Sequence, residues 1–449
     1  MQENKKVYYL YKSVQEDNIL PITSKCNLSC IFCSHKQNPP SVETISFGNL
    51  SLERVDDLIG YINPDKPIII GESATKIIEG EPLLHPEFKK IIKKIRTIYN
   101  NTPIKITTNA EHVNLEMLKL FEDLNNIILN ISINHINPEL RKKVMGKNCK
   151  TDISKVLKKL NNMRIVYHFS MVALPNLFGY KKIEEEIKNM LGYNPKSIRV
   201  FMPGYTEYSS EKLKFNFSEG YECLLDIIHK LNLVQKIPII IEPPKLHDLK
   251  KKIIGVINSS PADKAGIKYF DEIKEINKKK VTSRVEAFNL IKKLKNPTLK
   301  IKRGNKILDK KVIKKRGKDS GLILNYDLSQ KKIDEIERTI LENKSKNILF
   351  LTSELGYNLI EFIIKKHLGF KREGNIKIGK VVNTFMKGSI ISSGLLTNHD
   401  VKNHLSNFAN FSPDLLVLPS VMYDIFNNDL CGNSYNNLEK EYRLEIELI

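Results

Sequence analysis

Between residues 15 and 240, short apolar runs alternate with longer lysine-rich stretches. The runs fall at residues 18–23, 66–71, 75–78, 104–107, 127–131, 165–169 and 197–201, and are dominated by isoleucine. Between them, apolar residues recur three and four apart, as in Glu87-Phe88-Lys89-Lys90-Ile91-Ile92-Lys93-Lys94-Ile95. That spacing puts them on one helical face, so the segment reads as repeated β–α units. Such repeats form a parallel sheet, open or closed into a barrel. Chemistry then gathers where the strands end, and the residues after each run matter most.

The pattern changes at Ile241-Glu242-Pro243-Pro244-Lys245, where a strand-like run meets a Pro-Pro break. A short segment follows, with a helix predicted over residues 284–294. From about Gly321 a separate α/β unit begins. Its strands are expected at Asn347-Ile348-Leu349-Phe350-Leu351-Thr352, at 378–383 and at Asp414-Leu415-Leu416-Val417-Leu418-Pro419, with a helix over 355–367.

A chain of 449 residues has room for two or three domains. Its 41% hydrophobic and 27% charged residues are ordinary for a soluble protein. The net charge of +21 raises nucleic acid as a partner. The lysines are spread over every segment without a focused stripe, which argues against it. No apolar run approaches the ~20 residues of a membrane span. The polar start, Met1-Gln2-Glu3-Asn4-Lys5-Lys6, does not read as a signal peptide.

Three of the six cysteines crowd into Cys26-Asn27-Leu28-Ser29-Cys30-Ile31-Phe32-Cys33, right after the first apolar run. Thiolates this close repel one another unless a thiophilic metal centre binds them. An iron–sulfur cluster and a zinc ion are the two candidates. A structural zinc site usually takes four ligands as two separated pairs, and no second pair is present. His35 could complete a Cys3His set, although Cys33-Ser34-His35 is cramped for a tetrahedron. A 4Fe–4S cluster on three thiolates keeps one iron open for a small molecule. Cys149, Cys223 and Cys431 stand alone, so a disulfide framework is not expected. A reducing cytoplasm suits both facts.

The C-x3-C-x2-C spacing, with aromatic Phe32 before the last cysteine, resembles the signature of the radical S-adenosylmethionine (SAM) superfamily. Glu79-Gly80-Glu81-Pro82 resembles that superfamily's G-G-E-P segment, with Glu79 in place of the first glycine. Thr107-Thr108-Asn109-Ala110 is similar to its third strand end. The resemblance implies a partial (β/α) barrel in which Cys26, Cys30 and Cys33 ligate a 4Fe–4S cluster. Phe32, Gly80, Glu81, Thr108, Asn109 and Ser132 would then border bound SAM. It further implies reductive cleavage of SAM to a 5′-deoxyadenosyl radical that abstracts hydrogen from a substrate. A ferredoxin or flavodoxin would serve as reductant.

Ser132-Ile133-Asn134-His135-Ile136-Asn137-Pro138-Glu139-Leu140-Arg141 resembles one branch of predicted Fe–S oxidoreductases related to NifB and MoaA. That branch joins a radical SAM barrel to a PDZ domain and a C-terminal domain of unknown function. Here Arg141 could contact a carboxylate or solvate a helix start, and His135 could donate a proton or be structural. Ser259-Ser260-Pro261-Ala262-Asp263-Lys264-Ala265-Gly266-Ile267 and Asp271-Glu272-Ile273 resemble a PDZ domain, which binds a peptide end as an added strand. Val382-Asn383-Thr384-Phe385 and Ser393-Gly394-Leu395-Leu396-Thr397-Asn398-His399-Asp400 resemble the branch's C-terminal domain. A glycine-flanked turn there could receive an anion or a substrate, or be plain turn chemistry.

The expected architecture is a radical SAM domain over 1–242, a small PDZ-like β-rich domain over 245–318 and a C-terminal α/β domain over 319–449. The expected function is a cytoplasmic radical SAM enzyme whose substrate is unidentified, with a protein or peptide preferred over a metabolite. A non-catalytic Fe–S carrier or scaffold and a zinc-stabilised adaptor are the alternatives.

Overall fold

Isoleucine-rich runs become six parallel strands, β1 (Ile68–Ile70), β2 (Ile104–Thr108), β3 (Ile127–Ser132), β4 (Val166–Val172), β5 (Ile198–Phe201) and β6 (Ile239–Glu242). The structure, a computed structural model, describes residues 2–74, 76–344, 346–369, 375–406 and 411–449. The strands lie side by side in chain order, each paired in parallel with the next. Parallel neighbours need a crossover, and right-handed crossovers wound always the same way put every helix on one face. Helices Phe88–Ile98, Leu115–Asp123, Ile153–Leu160, Tyr180–Leu191 and Phe217–Val234 supply it. Asn114, Asp152 and Asn216 cap three of them by accepting backbone N–H groups. Ile91, Ile92, Ile95, Val156, Leu157 and Leu160 then pack on Ile104, Ile106, Leu129 and Ile131 in one core.

The expected first strand, residues 18–23, is reduced to a parallel bridge between Ile19 and Ile69. Pro21 has no N–H to give the ladder, and the Ile22 N–H turns to Glu79 instead. The run at 75–78 forms no strand either. Thr75 lies outside the described residues, Lys76 takes a left-handed φ of 65°, and Ile77 makes one bridge to Ile45.

After β6 comes a small β-rich body. Strands β7 (Lys251–Lys252), β9 (Glu272–Ile276), β10 (Lys279–Lys280), β11 (Thr298–Arg303) and β12 (Lys306–Lys311) form an antiparallel sheet. Strand β8 (Gly255–Val256) pairs with β13 (Leu322–Ile323). The helix Arg284–Lys293, close to its expected span, covers a core that includes Ile253, Ile273, Ile276, Ile291 and Leu299.

The last unit has strands β14 (Ile348–Ser353), β15 (Ile376–Val381), β16 (Leu415–Leu418) and β17 (Glu445–Leu448). They are all parallel, in the order β15-β14-β16-β17. The helix expected over 355–367 is an α-helix, Glu354–Phe362, running into a π turn, Ile363–His367. Leu246 and Leu249, from the linker after β6, are buried in this unit's core beside Ile333, Ile336 and Phe350.

The C-terminal unit sits against the six-stranded one. Lys76 and Asp424 form a buried ion pair at 2.8 Å, which Glu43 and the Tyr9 hydroxyl join. Ser389 Oγ donates to Pro203 O at 2.8 Å and accepts from Tyr205 N–H at 2.9 Å. Among the described residues no helix is long and apolar enough to cross a membrane.

Candidate functional site

The cysteine loop follows the bridge at Ile19 and is gripped from three sides. On one side, Gly80 N–H donates to Thr23 O and Glu81 N–H to Lys25 O, both at 2.8 Å. Gly80 lies so close that a Cβ there would stand 2.0 Å from Lys25 O, so only glycine fits. On a second side, Asn109 Nδ2 at the end of β2 donates to Asn27 Oδ1 at 2.9 Å. On the third, Ser29 N–H and Ile31 N–H donate to Met145 O and Val144 O. Those carbonyls end the helix Pro138–Met145, which Asn137 caps and Gly146 stops. Gly146 has a φ of 98°, and a Cβ on it would meet Ser29 Oγ at 2.3 Å. The Asn137-to-Gly146 stretch is thus the back wall of the loop. Gln37 closes the far end by donating to Ile31 O at 2.5 Å and accepting from Ser209 Oγ at 2.6 Å.

The grip holds the three thiols near enough for their charges to interact. Cys30 and Cys33 are half-buried and Cys26 is exposed. Burial, then repulsion from Cys26 and Cys33, pushes the Cys30 thiol up to about 12. Cys26 is raised as well, by burial first and by Glu81 and Cys33 after it. A nucleophilic cysteine needs the opposite shift, so neither Cys26 nor Cys30 is set up for attack. Among the described residues, no group of three or more His, Cys, Asp or Glu is gathered tightly enough for a single metal ion, His35 included. Phe32 is partly buried against Leu28, Val144, Met145 and Leu174.

The other predicted residues divide in two. Asn109 follows β2 and bonds the loop through Asn27, while Ser132 ends β3 with no hydroxyl hydrogen bond among the described residues. Glu81 and Thr108 are instead buried and occupied with each other. Glu81 accepts from Thr108 Oγ1 at 2.6 Å, Asn109 N–H at 2.7 Å and Leu83 N–H at 3.3 Å. Burial raises its carboxyl to about 7 against those bonds. Glu79 is also buried, its Oε1 accepting from Ile22 N–H at 3.4 Å while Oε2 has no partner. Burial lifts it well above the usual carboxylate range. Its side chain runs into the interior beneath Ile22, which leaves the backbone of Gly80 and Glu81 beside Lys25 undisturbed.

Arg141, whose role the sequence leaves open, is wholly buried and meets a carboxylate of its own chain. Its Nη1 donates to Glu111 Oε1 at 2.7 Å and to Cys149 Sγ at 2.7 Å; its Nη2 donates to Asn109 O at 2.5 Å. It therefore ties β2 to the back-wall helix. Cys149 is buried in that knot, its thiol raised to about 11 chiefly by burial. His135 is buried too, its Nδ1 3.0 Å from Glu186 Oε2 and its ring edge-on to Phe178. Both residues serve the scaffold.

A parallel sheet is usually covered on both faces. Here the face away from the helices is polar and half-exposed across β2 to β5. Thr107, Asn130 and His168 are register neighbours, and Glu72 accepts from Thr107 Oγ1 at 2.9 Å and Asn130 Nδ2 at 3.2 Å. His168 is lowered to about 4 by burial, then by Lys105 and Arg199, and is neutral. In the sequence, Thr107, Asn130 and His168 each read as a polar interruption in an apolar run. Beyond the ends of β1 and β5 lies a cavity of about 380 Å³. Ser34, His35, Ser73, Gly204 and Thr206 line it on one side, and Met386, Ile390, Gly394 and Leu395 of the C-terminal unit on the other. Its one lysine, Lys76, is already paired with Glu43 and Asp424.

Residues 20–191 match the family model of the Radical SAM superfamily. The chain is 26% identical over 212 residues to the GTP 3′,8-cyclase of Limosilactobacillus fermentum, covering 47% of this chain and 56% of that one. It is 28% identical over 150 residues to the FeMo cofactor biosynthesis protein NifB of Methanocaldococcus infernus, covering 32% and 46%. The chain thus spans about half the length of these curated relatives. In structure it is similar to Streptococcus suis SuiB bound to its precursor peptide SuiA, at 14% identity and a TM-score of 0.38, covering 50% and 48%.

Proposed function

We propose that this chain is a radical SAM enzyme in which Cys26, Cys30 and Cys33 hold a 4Fe–4S cluster. The observation that carries the reading is the loop itself, with its three cysteines, which three separate elements clamp at the carboxyl end of a parallel sheet. When bound, cluster and SAM together supply one-electron cleavage of the sulfonium and a 5′-deoxyadenosyl radical that takes hydrogen from a substrate. The chain's part is to hold and orient. Asn109, Ser132, Phe32 and the backbone of Gly80 and Glu81 border SAM, while the Glu81 and Thr108 side chains fix that backbone from behind. The Glu72–Thr107–Asn130 network and neutral His168 face the substrate side.

A chain division at 1–242, 245–318 and 319–449 accounts for three cores, with β13 reaching back across the second boundary. We read the small unit as PDZ-like in plan and as a spacer in use. The linker that would receive a peptide carboxylate is committed elsewhere, through Leu246 and Leu249 in the C-terminal core. Asp248 in that linker is also paired with Arg284 at 2.9 Å. A protein or peptide stays the favoured substrate class, presented at the barrel mouth. Among the described residues, the cavity there offers apolar walls, hydrogen-bonding groups and a lysine already paired with Glu43 and Asp424, a poor match to a triphosphate such as the cyclases take.

The test is anaerobic reconstitution with iron and sulfide, then dithionite and SAM. Formation of 5′-deoxyadenosine and methionine supports the enzyme. A stable cluster that yields neither supports the scaffold reading instead.

A further inference from the structure

The motif around Ser393 was expected to take an anion or a substrate, or to be a plain turn. Most of its polar groups are spent internally, while Ser393 Oγ donates to Ser353 Oγ at 2.9 Å and keeps its acceptor side open. Asp400 accepts from Thr397 N–H and Oγ1 at 2.9 Å and from Thr384 N–H at 2.7 Å, and Asn383 donates to Leu395 O at 2.7 Å. What the turn Ser393–Leu395 does is divide two cavities. Gly394 and Leu395 face the one at the barrel mouth, and Ser393 faces a second, also of about 380 Å³.

This second cavity lies where α/β sheets bind ligands. The chain enters the C-terminal sheet at β14, steps to β15 on one side and then to β16 on the other. The crevice outside the carboxyl ends of β14 and β16 is therefore the topological switch point, the usual ligand position in an open parallel sheet. Phe350, Leu359, Ile360 and Val417 supply apolar walls. The polar corner is Thr352, buried, whose hydroxyl has Ser393 Oγ at 3.5 Å as its protein neighbour. Gly356 leaves that hydroxyl uncovered, since a Cβ there would stand 2.5 Å from it. Neither charged group at the rim is free: Lys332 is paired with Glu335 at 3.1 Å and Asp327 with Arg284 at 3.0 Å. An ionic ligand would find no counter-charge.

We propose that the C-terminal domain has its own binding site at this switch point. It takes a compact, uncharged, largely apolar molecule whose one hydroxyl or carbonyl group meets Thr352 and Ser393. The site is independent of the cluster and of the radical SAM reading. Its shared wall with the barrel-mouth cavity makes its occupant a neighbour of whatever reacts there.

The test titrates para-fluorophenol into the full, cluster-free chain and follows its fluorine resonance. A saturable shift or broadening is expected. Thr352→Val, close in shape, should weaken binding about three- to tenfold for one lost hydrogen bond. Ile360→Trp fills the cavity and should abolish it. Leu395→Trp, which fills the neighbouring cavity, should leave it unchanged. No saturable response, or wild-type binding in Thr352→Val or Ile360→Trp, overturns the proposal. Thr352→Val keeps the test decisive should Ile360→Trp fail to fold.

Discussion

Replacing Gly80 with alanine tests the grip on the cysteine loop with one methyl group. The added Cβ would lie 2.0 Å from Lys25 O, 2.5 Å from its carbonyl carbon and 2.8 Å from its nitrogen. An ordinary C···O contact is about 3.3 Å, so one backbone must retreat by about 1.3 Å. Neither has a flexible end that can move alone. The retreat also stretches the Gly80-to-Thr23 and Glu81-to-Lys25 hydrogen bonds, both now 2.8 Å. Overpacking of about 1–3 kcal/mol and roughly 1 kcal/mol per weakened bond put the loss near 3 kcal/mol. Because Lys25 precedes Cys26, the displacement passes directly into the thiol set. Iron and sulfide per chain after anaerobic reconstitution, with urea unfolding of the cluster-free chain, measure both effects. Gly80→Ala should fall to less than about half the wild-type iron, since a shift near 1 Å can cost a site about a hundredfold. Gly204→Ala is the control, because its Cβ would meet only Ile390 Cδ1 at 3.6 Å. Wild-type loading and stability in Gly80→Ala would refute the reasoning.

Two further predictions concern buried charge. Asp424→Asn leaves Lys76 with Glu43 alone and should destabilise the docked C-terminal unit by about 3–5 kcal/mol, while Lys76→Met with Asp424→Leu should cost much less. Urea unfolding of the three chains checks this, and equal losses would contradict it. Glu81 is protonated in the folded chain up to about pH 7 and in the unfolded chain only to about 4.5. Relative to this group, stability is full below pH 4.5 and falls as the pH rises to 7, by about 3 kcal/mol in all. Glu79 shifts the same way, so the readout is the difference between wild type and Glu81→Gln. The variant's unfolding midpoint should drop less between pH 5 and pH 8, and parallel curves would contradict the assignment.

Much of the fold was legible because isoleucine-rich runs and helical periodicity mark β1 to β5 within a few residues. The losses have local causes. Pro21 reduces the first strand to a bridge, and the left-handed Lys76 breaks the run at 75–78. The candidate cluster site is legible because all three of its cysteines lie in one loop. Residues that support the loop from a distance leave no such trace. In sequence Arg141 could meet a carboxylate or open a helix, and its link to Glu111, Cys149 and Asn109 exists only once β2 and the helix Pro138–Met145 are brought together. The Glu72–Thr107–Asn130 network likewise spans three separate strand segments. The Ser393 turn shows the reverse case. Its glycine and threonine suggested an anion site, yet Asp400 and Asn383 consume those groups within the turn.

The central claim is that three thiols near the start of the chain hold an iron–sulfur cluster with one iron left open. Electron paramagnetic resonance of the reduced, reconstituted protein, recorded with and without SAM, tests it most directly. The account predicts a 4Fe–4S signal whose shape changes when SAM is added. That signal should survive Cys149→Ser and vanish when Cys26, Cys30 or Cys33 becomes serine. A colourless, iron-free chain, a stoichiometric zinc ion, or a cluster signal indifferent to SAM would contradict it.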